Sequence, residues 1–215
     1  MIFANNQQGH VGLRKHTRRC FPAGIALAAW AFANISAVAA DAGAGKMKAE
    51  GCVGCHGDNG ISEMEGTPSL AGQPDAFLQW QLVFFRSGAR KNEVMSPIAE
   101  QLSNEDVRDL GTYFASLKFA NHSQDKGPDD DQPQLTEAGK NAAAAGRCAS
   151  CHGDDFAGSK ATARIAGQRE EYIAKALHDY KSGARSGSGV AAMAEVAYPL
   201  SEQEISALAH YLARF

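Results

Sequence analysis

Apolar residues recur at helical spacing in two stretches of this 215-residue chain, and the two stretches are copies of one another. In Asp75–Arg86 the stripe is Phe77, Leu78, Leu82 and Phe85; in Glu170–Lys181 it is Tyr172, Ile173, Ala176, Leu177 and Tyr180. Intervals of one, three and four residues place such side chains on one face of a helix. A Ser-Gly pair follows each stretch and predicts its end. The Ala-rich segments 41–51 and 136–146 read as helices as well. Ser103 and Ser201 read as N-caps with acids in the following turn, opening terminal helices that run to Leu117 and Phe215. No convincing period-two alternation appears, so the expected fold class is all-α.

The duplication extends well beyond these helices. Gly45-Lys46 matches Gly139-Lys140, and Leu70-Ala71-Gly72-Gln73 matches Ile165-Ala166-Gly167-Gln168. Ser87-Gly88-Ala89-Arg90 matches Ser182-Gly183-Ala184-Arg185, Leu102-Ser103 matches Leu200-Ser201, and Tyr113 matches Tyr211. The offset stays between 94 and 98 residues, so insertions are few and small. Two tandem units are expected, at 41–119 and 135–215. The connector between them, 120–134, is acidic, polar and proline-bearing; it cannot bury apolar surface and reads as a linker.

Residues 1–40 stand apart. They carry Arg14, Lys15, Arg18 and Arg19 and no acid, then an apolar run from Phe21 to Ala33, then Ser36-Ala37-Val38-Ala39-Ala40. A basic start, a short apolar run and a small-residue tail describe a secretory signal peptide cleaved near Ala40. Pro22, Gly24 and Asn34 interrupt the run, which is short for a bilayer span, so no stable membrane insertion is expected after cleavage. The periplasm is the expected compartment, with any membrane association made through a partner.

The candidate chemistry lies in Cys52-Val53-Gly54-Cys55-His56 and Cys148-Ala149-Ser150-Cys151-His152. Two thiols three residues apart, followed at once by an imidazole, form the attachment pattern of a c-type haem. The cysteines can add across the two vinyl groups of one porphyrin, and the histidine is then held beneath the iron. A zinc site assembled from both pairs would unite thiols 96 residues apart and leave two histidines without a role. A thioredoxin-like pair needs a strand-helix context that is not visible, and local disulfides also leave the histidines unexplained. Two covalently bound haem c groups are therefore expected, on Cys52 and Cys55 and on Cys148 and Cys151, with His56 and His152 as axial ligands. Cys20 leaves with the signal, so no thiol remains for a structural disulfide.

The second axial ligand should come from further along each unit, because a helical wrap must cross the far face of the ring. Met95 and Met193 occupy matching places, after Ser-Gly-Ala-Arg and seven residues before Leu-Ser. A thioether is a soft ligand that favours Fe(II) and raises the potential. Core filling by methionine is the plain alternative, but it does not require the same position twice. Met47 and Met64 compete in the first unit and have no counterparts in the second. His122, His178 and His210 also lack counterparts, and surface or half-buried structural roles are expected for them.

Loss of the four basic residues of the signal leaves 17 bases against 24 acids, a net charge of −7. The front unit is acidic and the back unit neutral. Nucleic acid is therefore not an expected partner, and the uneven field could orient docking.

Together, the paired motifs, Leu-Ala-Gly-Gln, Ser-Gly-Ala-Arg-Lys and Met95-Ser96-Pro97 before Leu-Ser resemble the class I cytochrome c family, in particular its dihaem cytochrome c4 branch. The likeness covers about residues 41–215. It implies two cytochrome c domains facing each other across a pseudo-twofold, with the haems near the interface. It implies close approach of the first and last helices at Gly45 and Gly139, with Tyr113 and Tyr211 packed at the crossing. It implies that the Pro68 carbonyl accepts the Nδ1–H of His56. The second unit has Ala163 at that place, which keeps a carbonyl but not the rigidity of proline, so a looser second loop is expected. Arg90 and Arg185 are candidates for neutralising haem propionates, with exposed arginines as the alternative.

If both axial positions are filled, outer-sphere electron transfer remains. The expected function is a periplasmic electron carrier, one electron per haem and not an enzyme. Its expected donor is a quinol-oxidising complex and its expected acceptor a terminal oxidase or reductase. A dihaem subunit of a periplasmic dehydrogenase of the flavocytochrome c type shares the architecture and is the alternative. A dihaem peroxidase would need an iron with an open position.

Overall fold

In a computed structural model of the chain, residues 39–119, 132–187 and 190–215 are described. The expected signal peptide, apart from its last two residues, and most of the expected linker lie outside them, as does His122. Among the described residues the chain forms helices and no strands. The first half contains α1 (Ala42–Ala49), α2 (Val53–His56), α3 (Asp75–Arg86), α4 (Met95–Glu100) and α5 (Asn104–Ser116). The second half repeats them as α6 (Pro133–Ala145), α7 (Ala149–His152), α8 (Glu170–Lys181), α9 (Ala191–Ala197) and α10 (Glu202–Ala213). None is long and apolar enough to cross a membrane.

The first and last helices of each half cross closely, α1 on α5 and α6 on α10. Glycine permits it. A Cβ at Gly45 would lie 2.1 Å from the Asp109 carbonyl oxygen and 2.8 Å from Tyr113 Cβ. A Cβ at Gly139 would lie 2.1 Å from the Ala207 carbonyl oxygen and 2.5 Å from Tyr211 Cβ. Any side chain at either place would push two backbones apart, so the residue without one is required.

Both terminal helices open with a reciprocal capping box. Ser103 Oγ accepts from Asp106 N while Asp106 Oδ2 accepts from Ser103 N, and Ser201 and Glu204 repeat the arrangement. α3 and α8 occupy the ranges that their apolar stripes predict, and each buries that stripe, Leu78 and Phe85 in one, Ile173, Leu177 and Tyr180 in the other.

Four details differ from the sequence reading. α6 begins at Pro133, so the last two residues of the expected linker are helical; proline is accommodated at the first helical position, where its missing N–H costs nothing. α4 and α9 were not anticipated. His210 is fully buried, 3.5 Å from Glu170, rather than surface or half-buried. The second loop is not left loose by Ala163: Ser159 and Thr162 exchange backbone hydrogen bonds at 3.1 and 2.8 Å, and Gly158 N–H donates to His152 O at 2.8 Å.

Candidate haem sites and the seam between them

The two short helices α2 and α7 carry the motifs, and both histidines are buried, 7% exposed each. His56 Nδ1 lies 2.9 Å from Pro68 O, and His152 Nδ1 lies 2.8 Å from Ala163 O. A carbonyl can only accept, so Nδ1 carries the proton in both rings and Nε2 keeps its lone pair. Burial pushes both imidazoles below their ordinary value, with the carbonyl contact pulling the other way. Each ring is thus a neutral, oriented nitrogen donor.

None of the four cysteines is in a disulfide. Cys52 and Cys148 are half-buried and their thiols pushed up by burial, whereas Cys55 and Cys151 are exposed. Met95 is the first residue of α4 and half-buried; its N–H is held by Asn92 Oδ1 at 2.8 Å. Met193 lies in the first turn of α9, half-buried against the second core. Met47 and Met64 are 68% and 46% exposed, which sets them apart from both.

The structure brings Arg90 and Arg185 together. Their backbones form an isolated antiparallel bridge between the halves. Both guanidiniums reach Gln81 Oε1, at 2.8 Å from Arg90 and 2.5 Å from Arg185. Arg90 also meets Tyr172 Oη at 3.1 Å, and the two arginines lie over the rings of Phe85 and Tyr180. Arg185 is only 4% exposed, so it is not a surface arginine. Burial pushes the Tyr172 phenol up, but the two guanidiniums outweigh it and hold it below its ordinary value. Among the described residues neither arginine has a carboxylate partner, and Arg185 Nε has no acceptor. Buried cations are ordinarily paired, so this seam suits an anionic group such as a haem propionate. Donor nitrogens, unpaired thiols and an anion-seeking seam fit haem in both halves.

Sequence reasoning missed the residues that join the halves. Gln73, 5% exposed, accepts from Arg164 N–H at 3.0 Å and donates to Arg164 O at 2.8 Å. Gln168, 4% exposed, accepts from Ser69 N–H and donates to Ser69 O, both at 2.9 Å. Each glutamine grips one residue of the opposite loop, and the two grips are related by the duplication. The signal was visible as the repeated Ala-Gly-Gln. Arg169 adds a bond to Ser62 O at 2.9 Å, and Phe77 N–H donates to Lys160 O at 3.0 Å.

Comparison with known proteins agrees with this geometry. Residues 136–214 match the family model described as cytochrome c, and residues 38–114 match that described as cytochrome c oxidase, cbb3-type, subunit III. The chain is 33% identical to cytochrome c4 of Azotobacter vinelandii over 81% of its own length and 89% of that protein. It is 33% identical to a thiosulfate dehydrogenase electron acceptor of Thiomonas intermedia, over 77% of this chain and 79% of that one. The crystal structure of reduced recombinant cytochrome c4 from Pseudomonas stutzeri superposes with a TM-score of 0.73 at 30% identity, covering 82% of this chain and 99% of that one. A duplicated helical shell, two buried histidines fixed by loop carbonyls and these likenesses place the chain in the cytochrome c4 family, electron carriers built of two cytochrome c domains with two covalently bound haem c groups.

Proposed function

We propose that the chain carries electrons through the periplasm between respiratory complexes, one electron per haem and without catalysing a reaction on a substrate. Cys52 and Cys55 tether the first haem in unit 41–119, and Cys148 and Cys151 the second in unit 135–215. His56 and Met95 are the axial ligands of the first iron, His152 and Met193 those of the second. When bound, the haems supply reversible one-electron Fe(II)/Fe(III) chemistry. The protein orients the imidazoles through the Pro68 and Ala163 carbonyls and offers Arg90 and Arg185 to the propionates. The observation that carries this reading is the pair of histidine–carbonyl bonds, 2.9 and 2.8 Å, recurring in both halves.

The donor is a quinol-oxidising complex and the acceptor a terminal oxidase or reductase. Docking to either is weak and brief, as turnover demands. A pyridine haemochrome assay followed by spectroelectrochemical titration tests the assignment: two haems per chain and two one-electron waves are expected. Fewer than two haems, or a high-spin five-coordinate iron at rest, sinks it.

A second reading rests on the likeness to a thiosulfate dehydrogenase electron acceptor. Here the donor is a periplasmic dehydrogenase, with this chain as its dihaem partner or subunit. Co-purification with such an enzyme, and rapid reduction by it, would favour that donor over a quinol-oxidising complex.

A further inference from the structure

The two glutamine grips do more than fasten the halves. Pro68 C=O and Ser69 N–H belong to one planar peptide group, as do Ala163 C=O and Arg164 N–H. The carbonyl end of the first peptide accepts from His56 Nδ1–H, and its N–H end donates to Gln168 of the other half. The carbonyl end of the second accepts from His152 Nδ1–H, and its N–H end donates to Gln73. Each haem histidine therefore stands at the head of a three-group chain, imidazole to peptide to glutamine, that ends in the opposite half.

Hydrogen bonds in series polarise one another. An acceptor on the N–H end draws charge through the amide and makes the carbonyl at the other end a stronger acceptor. A stronger acceptor at Nδ1 makes the imidazole a more basic ligand, which favours Fe(III). Both glutamines are buried, so water does not compete for the peptide. Their second bond, from Nε2 to the carbonyl of the same gripped residue, locks the amide in register.

We propose that Gln73 and Gln168 are crossed positioning residues: Gln168 tunes the potential of the haem bound through His56, and Gln73 that of the haem bound through His152. The proposal rests on the histidine–iron assignment above. It makes each half part of the other's ligand environment, so the potentials of the two haems are not properties of separate domains.

The test uses the full holoprotein with Gln168→Met and Gln73→Met, which keep the side-chain length and remove both bonds of each grip, together with the bond that Gln168 Oε1 accepts from Arg169 N–H at 3.0 Å. Redox titration is followed haem by haem through hyperfine-shifted methyl resonances; those altered by Met193→Ala mark the second haem. For Gln168→Met, the reduced-to-oxidised ratio of the first haem at fixed potential should rise roughly two- to fivefold, with the second unchanged. Gln73→Met should do the converse. Shifts confined to the variant's own half, equal shifts of both haems, or no shift at all would overturn the proposal. Two haems by pyridine haemochrome and both sulfur-to-iron bands in the variants show that the ligand assignment itself stands. Should either variant fail to mature, amide exchange in the unaltered protein decides: Ser69 and Arg164 N–H should exchange slowly, and rapid exchange of either refutes the grip.

Discussion

The two halves of this molecule keep the same backbone and have exchanged much of what fills it. Helix crossings, capping boxes and the bond from histidine to loop carbonyl recur in both. Several of the side-chain contacts around them do not. In the first half Asp75 Oδ2 accepts from Thr112 Oγ1 at 3.2 Å; at the matching place in the second, Glu170 faces the buried imidazole of His210 at 3.5 Å and Arg214 at 2.6 Å. Asp109, 1% exposed, receives Asp41 N–H at 2.9 Å and faces Lys48, whereas its counterpart is Ala207. Both seam arginines converge on Gln81, and the matching residue is Ala176. The bonds that fix the two histidines go to backbone carbonyls and survive duplication. The side-chain contacts at Asp75, Asp109 and Gln81 have diverged, and they give two similar shells different surroundings.

The comparison breaks first at the helix crossings, where the halves should respond alike. Gly139→Val forces a side chain against the Ala207 carbonyl and should cost about 3 kcal/mol or more in denaturant unfolding, as should Gly45→Val. A small loss in either would show that its crossing can open.

Ligation should also be equal but separable. Met193→Ala should remove the sulfur-to-iron charge-transfer absorption of one oxidised haem and leave the other's, and Met95→Ala should remove the remainder. Full retention of the absorption after either change would place the ligand elsewhere.

The seam should respond unequally. Gln81→Ala strips the shared acceptor from a buried guanidinium and a half-buried one at once, and should destabilise by about 1–3 kcal/mol. Ala176→Gly, at the matching place, removes no such bond, and its smaller cost should be that of a glycine in a helix. Equal losses would mean that the arginines take their support from elsewhere.

Smaller again are the caps. Ser103→Ala and Ser201→Ala should each cost about 1 kcal/mol, measured by thermal unfolding. Acid should weaken both caps. Hydrogen bonds from Ser103 hold the Asp106 carboxyl below its usual range, and those from Ser201 do the same for Glu204. A carboxyl depressed in the folded state contributes stability above its unfolded pKa and loses it as pH falls through the folded one. Unfolding midpoints followed downward from about pH 5 should therefore fall, and less so in the serine variants. Lys48 pairs with Asp106 at 3.0 Å, so added salt should soften the first cap more than the second.

Much of this was readable from residue order. Phe77, Leu78, Leu82 and Phe85 with the following Ser-Gly mark α3 to the residue, because periodicity and a stop signal agree. The repeated Cys-x-x-Cys-His and the loop carbonyls mark the histidines. The short helices α4 and α9 lack a clear signal for a local reason: Met-Ser-Pro-Ile-Ala-Glu has a proline within six residues, and Ala191–Ala197 is too short and too rich in alanine to show a stripe. The seam escaped for a different one. Gln81 lies far along the chain from Tyr172 and Arg185, and all three owe their environment to the meeting of the two halves. Only the residues that recur advertised themselves, Gln73 and Gln168 in the repeated Ala-Gly-Gln and Arg90 and Arg185 in the repeated Ser-Gly-Ala-Arg.

Phe119 follows the last helix of the first half, and its ring rests where a Cβ on Gly167 of the second would lie 2.2 Å from Cζ; Arg164 covers the ring at 4.3 Å. A tail of one copy is thus a plug in the socket of the other. Severing the peptide between them should leave the pieces associated, and expressing the later piece by itself should expose the notch between Gly167 and Arg164. What began as two interchangeable copies has become a pair in which neither is a finished object without its sibling.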